Sequence, residues 1–308
     1  MRWIPSLTLV VALAACSSQE KEPAPALLPC DDCEWLVEGE SVWPGALSSD
    51  GDALYVLKQP TNELYRYPHA ETEAELLAAD FPLVDILVAG ESVLWAKVAD
   101  DAVVLIDKAS GEQVASSAVP GLWWMARGAE GLVMAVAEGR TKRITTLDEL
   151  GQEGEALWTA DSEASFRHFV ADEGGVAWTL STTLTDELYW LPSGVSEPEW
   201  LDLRALEVSV SSLAIHQGSL YLTGAEAKHA LYRLDGGELV ELAALSEFSW
   251  LLPAGQGLLT FSGTQRLNAF DADGEPLGSV DFPFLPTTLP AADDQWVFAG
   301  GEAELVRI

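Results

Sequence analysis

A short pattern recurs along this chain with a period of about forty residues, and it constrains the fold more than any other feature. Each copy has an apolar residue, two variable residues, a second apolar residue and then, usually, Asp or Pro. The copies begin at Leu64, Val103, Ile144, Leu188, Leu231, Leu267 and Leu305, so that successive starts are 36 to 44 residues apart. A β-type repeat with this period is typical of a propeller. We therefore expect an all-β fold, a seven-bladed β-propeller.

A second register of short apolar runs precedes each copy by about ten residues. These runs are rich in β-branched and aromatic residues and are bounded by Gly and Asp, which favours strands over helices. One slot in the runs usually holds a large side chain: Tyr55, Trp95, Met134, Trp178, Tyr221 and Trp296, with Thr260 as the exception. We expect these side chains to fill the space between neighbouring blades.

Each unit fits a blade of four strands, and the two ends of the chain fit one shared blade. The final copy, Leu305–Ile308, leaves no residues for an outermost strand. Glu34-Trp35-Leu36-Val37 has the character of such a strand and precedes the first innermost strand, near Gly45. The sequence therefore predicts that an N-terminal strand completes the last blade and closes the ring, which protects both sheet edges. The propeller domain would span residues 34–308.

The N-terminus resembles the signal peptide of a bacterial lipoprotein. After Arg2, an apolar segment too short to span a bilayer ends in Leu13-Ala14-Ala15-Cys16. This ending is similar to a lipobox. The resemblance implies cleavage of a signal peptide, residues 1–15, acylation of Cys16, for example with palmitate, and anchoring to the lipid bilayer. Residues 16–33 would form the acylated tether, and Ser17 would direct the protein to the outer membrane of the cell envelope, on its periplasmic face or at the cell surface.

Two further cysteines follow the lipobox. Once Cys16 is acylated, the even remainder in an exported chain, Cys30 and Cys33, favours a disulfide. Free thiols, a C-x-x-C redox centre and a metal site are the alternatives. The acidic neighbours Asp31 and Asp32 disfavour a reactive thiolate.

The net charge and the absence of known catalytic motifs exclude several classes of function. Lys and Arg number 16 against 49 Asp and Glu, a formal net charge of −33. Nucleic acid is therefore an unsuitable partner, because phosphate binding needs clustered basic side chains. The chain contains no metalloprotease, hydrolase or phosphate-binding motif. Asp271–Glu275 faintly resembles a calcium loop but is better interpreted as a turn. We expect no cofactor and no metal.

Propellers commonly bind ligands around the central channel, so polar residues on the innermost strands are the candidate site. These are Asp85, Arg127, Arg167 and His168. The two arginines could bind a small anion, or they could pair with Asp or Glu inside the channel; the second interpretation is favoured.

Three copies of the repeat resemble those of pyrroloquinoline-quinone-type propellers, in which a strand ends in Asp and a Gly turn follows. They are Val103–Glu112, Leu231–Glu238 and Leu267–Glu275. Similar repeats occur in noncatalytic lipoproteins that help to assemble outer-membrane proteins. The resemblance implies the fold and no cofactor site. Because the chain has no catalytic constellation, we expect a noncatalytic lipoprotein scaffold that binds an envelope protein or glycan through one of its faces, with the loop aromatics Trp43, Trp123 or Trp124 as the first contacts. The alternative is a small-molecule-binding protein or an enzyme, hydrolase or quinoprotein-like, with its site at the channel mouth.

Overall fold

The structure of the protein is a computed structural model, and its regular elements are β-strands. It describes residues 28–29, 34–38, 44–59, 61–70, 73–82, 84–99, 101–225, 229–246, 249–255, 257–262, 266–281, 291–292, 297–300 and 304–307. No helix that could cross a membrane is present in these residues. The proposed signal peptide with Cys16, and also Cys30, Cys33, Trp43 and Trp296, lie outside them.

The described strands form seven sheets, six of which take four consecutive antiparallel strands from one stretch of chain. We call these six blades 1 to 6. Blade 1 contains β3 (Pro44–Ser49), β4 (Ala53–Lys58), β5 (Glu63–Pro68) and β6 (Glu75–Ala78). Blade 2 contains β7 (Val84–Ala89), β8 (Val93–Val98), β9 (Ala102–Asp107) and β10 (Gln113–Ala118). Blade 3 contains β11 (Leu122–Gly128), β12 (Gly131–Glu138), β13 (Thr141–Leu147) and β14 (Trp158–Asp161).

The second half of the chain repeats this arrangement. Blade 4 contains β15 (Ser165–Asp172), β16 (Gly175–Ser181), β17 (Asp186–Pro192) and β18 (Glu199–Asp202). Blade 5 contains β19 (Ser209–His216), β20 (Ser219–Ala225), β21 (Ala230–Asp235) and β22 (Glu238–Ala244). Blade 6 contains β23 (Ser249–Ala254), β24 (Gly257–Ser262), β25 (Arg266–Phe270) and β26 (Pro276–Asp281), and β1 (Leu28–Pro29) adds to its edge in parallel with β26.

The seventh sheet joins the two ends of the chain, and we call it the terminal sheet. It contains β27 (Ala291–Ala292), β28 (Val297–Gly300), β29 (Glu304–Arg307) and, as its outermost strand, β2 (Glu34–Glu38). β2 pairs antiparallel with β29, as the sequence predicted. Phe298 is fully buried, and its ring stacks on His69 of blade 1 at 5.5 Å between centroids.

The first strand of each blade is the innermost one. β3, β7, β11, β15, β19 and β23 contact one another in succession, and β27 contacts both β23 and β3. The fold is therefore a β-propeller built from four-stranded antiparallel blades. Six such blades are formed by consecutive strands of the described chain, where the sequence predicted seven. We call the side on which the innermost strands begin the top face, and the side on which they end the bottom face.

The core lies between the blades, where the large side chains of the second register meet the neighbouring sheet. Tyr55, Trp95, Met134, Trp178 and Tyr221 are at most 2% exposed. Thr260 occupies the same slot in blade 6 and is also fully buried. Burial of each large apolar side chain stabilises the fold by about 2–3 kcal/mol. The predicted role of this slot in packing is confirmed for the described members.

The Asp that ends a repeat copy caps the following turn on the bottom face. One carboxylate oxygen of Asp107 accepts hydrogen bonds from the backbone N–H groups of Ala109 and Ser110, at 3.1 and 2.7 Å. Asp148 and Asp271 do the same in blades 3 and 6. A short acceptor side chain satisfies turn N–H groups that no strand partner reaches, which explains why the repeat ends in Asp. Asp271–Glu275 is thus a turn.

Candidate functional site

Most innermost strands carry a β-bulge near their start, and the bulge places polar side chains at the top of the channel. The register of β7 shifts between Val84 and Ile86, so Asp85 is the extra residue. That of β15 shifts between Phe166 and Phe169, so Arg167 and His168 lie in the bulge. A bulge interrupts the ladder and redirects the side chain. Asp85, Arg167 and His168 therefore all lie in the part of their strands that is nearer the top face.

Arg127 lies at a different level. It is the sixth residue of β11 and pairs with Leu132, next to the turn on the bottom face. The structure therefore places the four candidate residues at two levels of the channel instead of one.

The expected pairing of the channel arginines with carboxylates is wrong for the residues described. Asp85 instead lies 3.7 Å from Lys97 Nζ, on its own blade. Arg127 and Arg167 are exposed, and neither forms an ion pair or hydrogen bond within the described part of the chain. Between residues 44 and 281, every other Lys and Arg that the structure describes contacts a carboxylate, a carbonyl oxygen or an aromatic ring. These are Lys58, Arg66, Lys97, Lys108, Arg140, Lys142, Arg143, Arg204, Arg233 and Arg266.

His168 is held in place rather than poised for proton transfer. Burial and the charge of Arg167 lower the pKa of its imidazole, and a hydrogen bond to the backbone of Val210 and the charge of Asp186 only partly oppose this effect. The backbone N–H of His168 donates to Thr179 Oγ1 at 3.0 Å. The ring is thus neutral near pH 7 and joins blade 4 to blade 5. No group of three or more potential metal ligands occurs among the described residues.

Two apolar side chains are exposed on the top face of blade 4, the face toward which Arg167 also lies. Leu184 is 77% exposed at the turn between β16 and β17, and Leu206 is 46% exposed in the loop after β18. Arg204 links the two segments, because its guanidinium donates to the carbonyl oxygen of Thr183 at 2.7 Å. We call Arg167, Leu184, Arg204 and Leu206 the blade-4 top surface.

Local capping fixes the two segments that present these leucines. Thr182 Oγ1 accepts hydrogen bonds from the N–H groups of Leu184 and Thr185, at 3.0 and 2.8 Å. Asp202 accepts from the N–H groups of Arg204 and Ala205, at 3.0 and 3.1 Å. With their polar backbone groups satisfied by their own side chains, both turns hold a leucine out in solvent without a covering element.

The aromatic residues proposed as contacts are placed differently from the prediction. Trp123 and Trp124 lie on the innermost strand β11, are half-buried and pack in the cluster between blades 3 and 4. The Trp123 ring stacks on Phe166 at 5.7 Å. Trp200, on the outermost strand of blade 4, is instead 61% exposed. This exposure was not predicted from the sequence pattern, because on an outermost strand the neighbouring blade does not cover every side chain.

A polar cavity of about 250 Å³ opens on the bottom face between blades 1 and 2, lined in part by Asp50, Tyr55 and Lys108. Asp50 and Lys108 form an ion pair with side chains 5% and 15% exposed. Tyr55 Oη donates to Asp50 at 3.1 Å, and Lys108 Nζ also donates to the carbonyl oxygen of Gly90 at 2.9 Å. Burial alone would raise the pKa of Asp50, but the bonds from Lys108 and the backbone lower it. These contacts join blade 1 to blade 2, and we call Asp50, Tyr55 and Lys108 the interblade clamp.

Comparison with solved structures places the fold among known propellers. A chain of the mitotic checkpoint complex superposes with a TM-score of 0.65 at 11% sequence identity, covering 95% of this chain and 98% of the other. The WD40 repeats of RRP9 superpose with a TM-score of 0.63 at 12% identity, covering 93% and 98%. The likeness is one of fold. Neither a protein-family model nor a curated protein sequence matches the chain.

Proposed function

We propose that this protein is a noncatalytic propeller scaffold that binds a protein partner through the blade-4 top surface. One observation carries the proposal: the exposed, unpaired Arg167 lies on the same face of the same blade as the exposed Leu184 and Leu206. Arginine beside apolar side chains is the composition of a protein-binding surface. In a chain with a net charge of −33, a free cation at such a position favours a partner that carries a carboxylate.

We also propose how the scaffold is anchored and closed. Acylation of Cys16 would attach it to the bacterial cell envelope, with residues 16–33 as the tether and a disulfide between Cys30 and Cys33. The terminal sheet would be the seventh blade and close the ring. The pairing of β2 with β29, the contact of β27 with β3 and the stacking of Phe298 on His69 support this closure.

The test is recovery of the partner from native membranes. The acylated protein and a Leu184→Ser/Leu206→Ser variant would be crosslinked mildly, isolated and analysed by mass spectrometry. The matched control is Leu150→Ser, since Leu150 is 74% exposed but lies in a turn on the bottom face. We expect an envelope protein to accompany the wild type and the control but not the double variant.

Two outcomes would contradict the proposal. Equal recovery with the double variant would remove the blade-4 top surface as the binding site. An unmodified Cys16 in the isolated protein would remove the lipid anchor while leaving the binding site untouched.

A second candidate function is the binding of a small anion at the channel mouth. The observation that favours it is the exposed Arg167 in the bulge of β15, which has no ionic or hydrogen-bonding partner among the described residues. An Arg167→Ala/His168→Ala variant that folds normally but loses a small ligand bound by the wild type would support it. If the site is confined to the channel mouth, Arg127→Ala should leave the binding of this ligand unchanged.

A further inference from the structure

Three aromatic side chains lie at the outer rim of the propeller, where blade 4 faces blade 3. They are Trp158, Tyr189 and Trp200, and we call them the rim patch. Trp158, from blade 3, and Tyr189, from blade 4, are half-buried, and their ring centroids are 5.4 Å apart across the junction. Trp200 is 61% exposed. None of the three belongs to the blade-4 top surface, so the rim patch still lacks a role.

Strand register places Trp200 on the same face of blade 4 as Tyr189. Tyr189 of β17 is directly opposite Trp178 of β16 on one side and Trp200 of β18 on the other, without a register shift. Residues directly opposite in antiparallel strands have side chains on one face, with Cβ atoms about 5 Å apart. Trp178 and Tyr189 pack in the cluster shared with blade 3. Trp200 therefore continues this aromatic row outward.

The indole of Trp200 is open to a ligand from solvent. Trp178 and Tyr189 stack with their ring planes 2° apart, but no ring contact joins Tyr189 to Trp200. Within the described chain, β18 is the edge of its sheet, so no further strand lies beyond Trp200. A planar group can thus stack on this indole without displacing a core side chain.

Two carboxylates lie on the same face, one step nearer the top face. Glu187 and Asp202 are directly opposite each other, two residues from Tyr189 and Trp200. Glu187 accepts a hydrogen bond from Tyr189 Oη at 2.9 Å, and Asp202 accepts from the backbone N–H groups of the turn after β18. Neither carboxylate is paired with a basic side chain among the described residues. Like charges directly opposite in a ladder repel each other, and a bound cation would relieve this repulsion.

The basic side chains described on the adjoining part of blade 3 are already occupied. Lys142 is 5% exposed, and its Nζ donates to the carbonyl oxygen of Gly139 at 2.6 Å. Arg140 donates from Nε to Asp161 at 2.7 Å. The two carboxylates of blade 4 are therefore available to a cation from another molecule.

We propose that the rim patch binds an arginine side chain of the protein partner, with its guanidinium plane stacked on Trp200 and its N–H groups directed to Asp202 and Glu187. Tryptophan is a frequent anchor of protein interfaces. Arginine combines a planar face with a fork of N–H donors, whereas lysine offers only a point charge. The net charge of −33 attracts a cationic group at long range.

This inference rests on the proposed function, because it assigns a second contact to the same partner. Asp202 joins the rim patch to the blade-4 top surface, since its carboxylate caps the turn that carries Arg204. A partner that fits both would present a carboxylate toward the top face and an arginine toward the rim.

The experiment uses three capped tripeptides whose central residue is arginine, citrulline or lysine between two alanines. They are titrated into the isotope-labelled full-length protein, and the indole N–H signal of Trp200, assigned with Trp200→Phe, reports binding by NMR. Citrulline is the neutral isostere of arginine, and lysine keeps the charge without the plane. We expect the arginine peptide to bind about tenfold more tightly than the citrulline peptide and about threefold more tightly than the lysine peptide.

Isosteric variants separate the local carboxylates from the overall negative charge. Asp202→Asn and Glu187→Gln each keep an oxygen acceptor for the existing hydrogen bond, and each should weaken binding of the arginine peptide by about three- to fivefold. Glu238→Gln is the matched control, because Glu238 is exposed on the outermost strand of blade 5. It removes the same charge and should change the affinity by less than about twofold. Trp200→Leu should weaken binding about fivefold, measured from the signals of neighbouring residues.

The outcomes separate this inference from the function on which it rests. Equal affinity for the arginine and citrulline peptides, equal affinity for the arginine and lysine peptides, or an unmoved Trp200 signal would overturn it. Equal effects of Asp202→Asn and Glu238→Gln would also overturn it, because overall charge would then explain the binding. If any of these is found while Leu184→Ser/Leu206→Ser still loses the membrane partner, the scaffold function stands without the rim contact.

Discussion

The ammonium group of Lys108, in blade 2, is paired with the carboxylate of Asp50, in blade 1, and both side chains are nearly buried. Lys108 directly follows Asp107, the Asp that ends its repeat copy. The residue in the same place in blade 3, Glu149, accepts hydrogen bonds from Glu91 N and Ser92 N of blade 2, at 2.9 and 3.1 Å. At each of these junctions, the residue after the repeat reaches back to the preceding blade.

Replacement of Lys108 tests the strength of this clamp. Lys108→Met leaves the Asp50 carboxylate buried without its cation, and we expect a loss of about 3 kcal/mol in the free energy of unfolding, measured with urea. Lys97→Met is the matched control, because its partner Asp85 is 81% exposed at 3.7 Å, and its loss should stay below about 1 kcal/mol. Similar losses in the two variants would show that the buried pair does not stabilise the junction.

The pH dependence of the clamp has a defined sign. The pKa of folded Asp50 is lowered, so its contribution to stability is present above the unfolded pKa, about 3.9, and is lost as the pH falls through the lower folded value. In Lys108→Met the buried carboxylate loses this advantage. The stability difference between wild type and variant should therefore be largest near pH 7 and should shrink below about pH 4. A difference that is constant from pH 7 to pH 3 would contradict this assignment.

Two tryptophans of blade 4 should differ sharply in their contribution to stability. Trp178 is fully buried and stacks on Tyr189 with ring centroids 5.3 Å apart, so Trp178→Ala should cost about 3–5 kcal/mol. Trp200 is 61% exposed on the outermost strand, so Trp200→Ala should lower the free energy of unfolding by less than about 1 kcal/mol. Thermal melting followed by circular dichroism measures both. A large loss in Trp200→Ala would indicate that another part of the chain covers this side chain.

Removal of β2 should destabilise the whole ring. A chain that begins at residue 39 lacks the strand paired with β29, whereas one that begins at residue 34 retains it and loses only β1. We expect the shorter chain to aggregate or to melt at a clearly lower temperature, because the edge of β29 is then unpaired. Equal melting temperatures and monomeric elution of both chains would refute closure by this strand.

The repeat allowed the strands, the interblade slot and the pairing of the two chain ends to be predicted, because these features depend on local pattern and spacing. The site could be predicted only in part. A bulge decides that Arg167 lies at the top of the channel, and register decides that Arg127 lies near the bottom; neither is visible as a periodicity. Whether a leucine such as Leu184 is covered depends on how far neighbouring loops extend, which composition does not encode.

At both of these interblade junctions, a residue of the later blade contacts the blade that precedes it in the chain. The blades therefore become complete in a definite order. As the chain is synthesised, Asp50 can meet its cation only after Lys108 has emerged, and the turn at Ser92 can meet Glu149 only later still. β2, among the first strands made, must wait for residues 304–307. Blades 1 and 2 are thus each completed by the blade that follows, and β2 waits longest for its partner. In a nascent chain, β2 therefore stays unpaired until synthesis is nearly complete. An unpaired strand can pair with other chains, so a chaperone would matter most during this period.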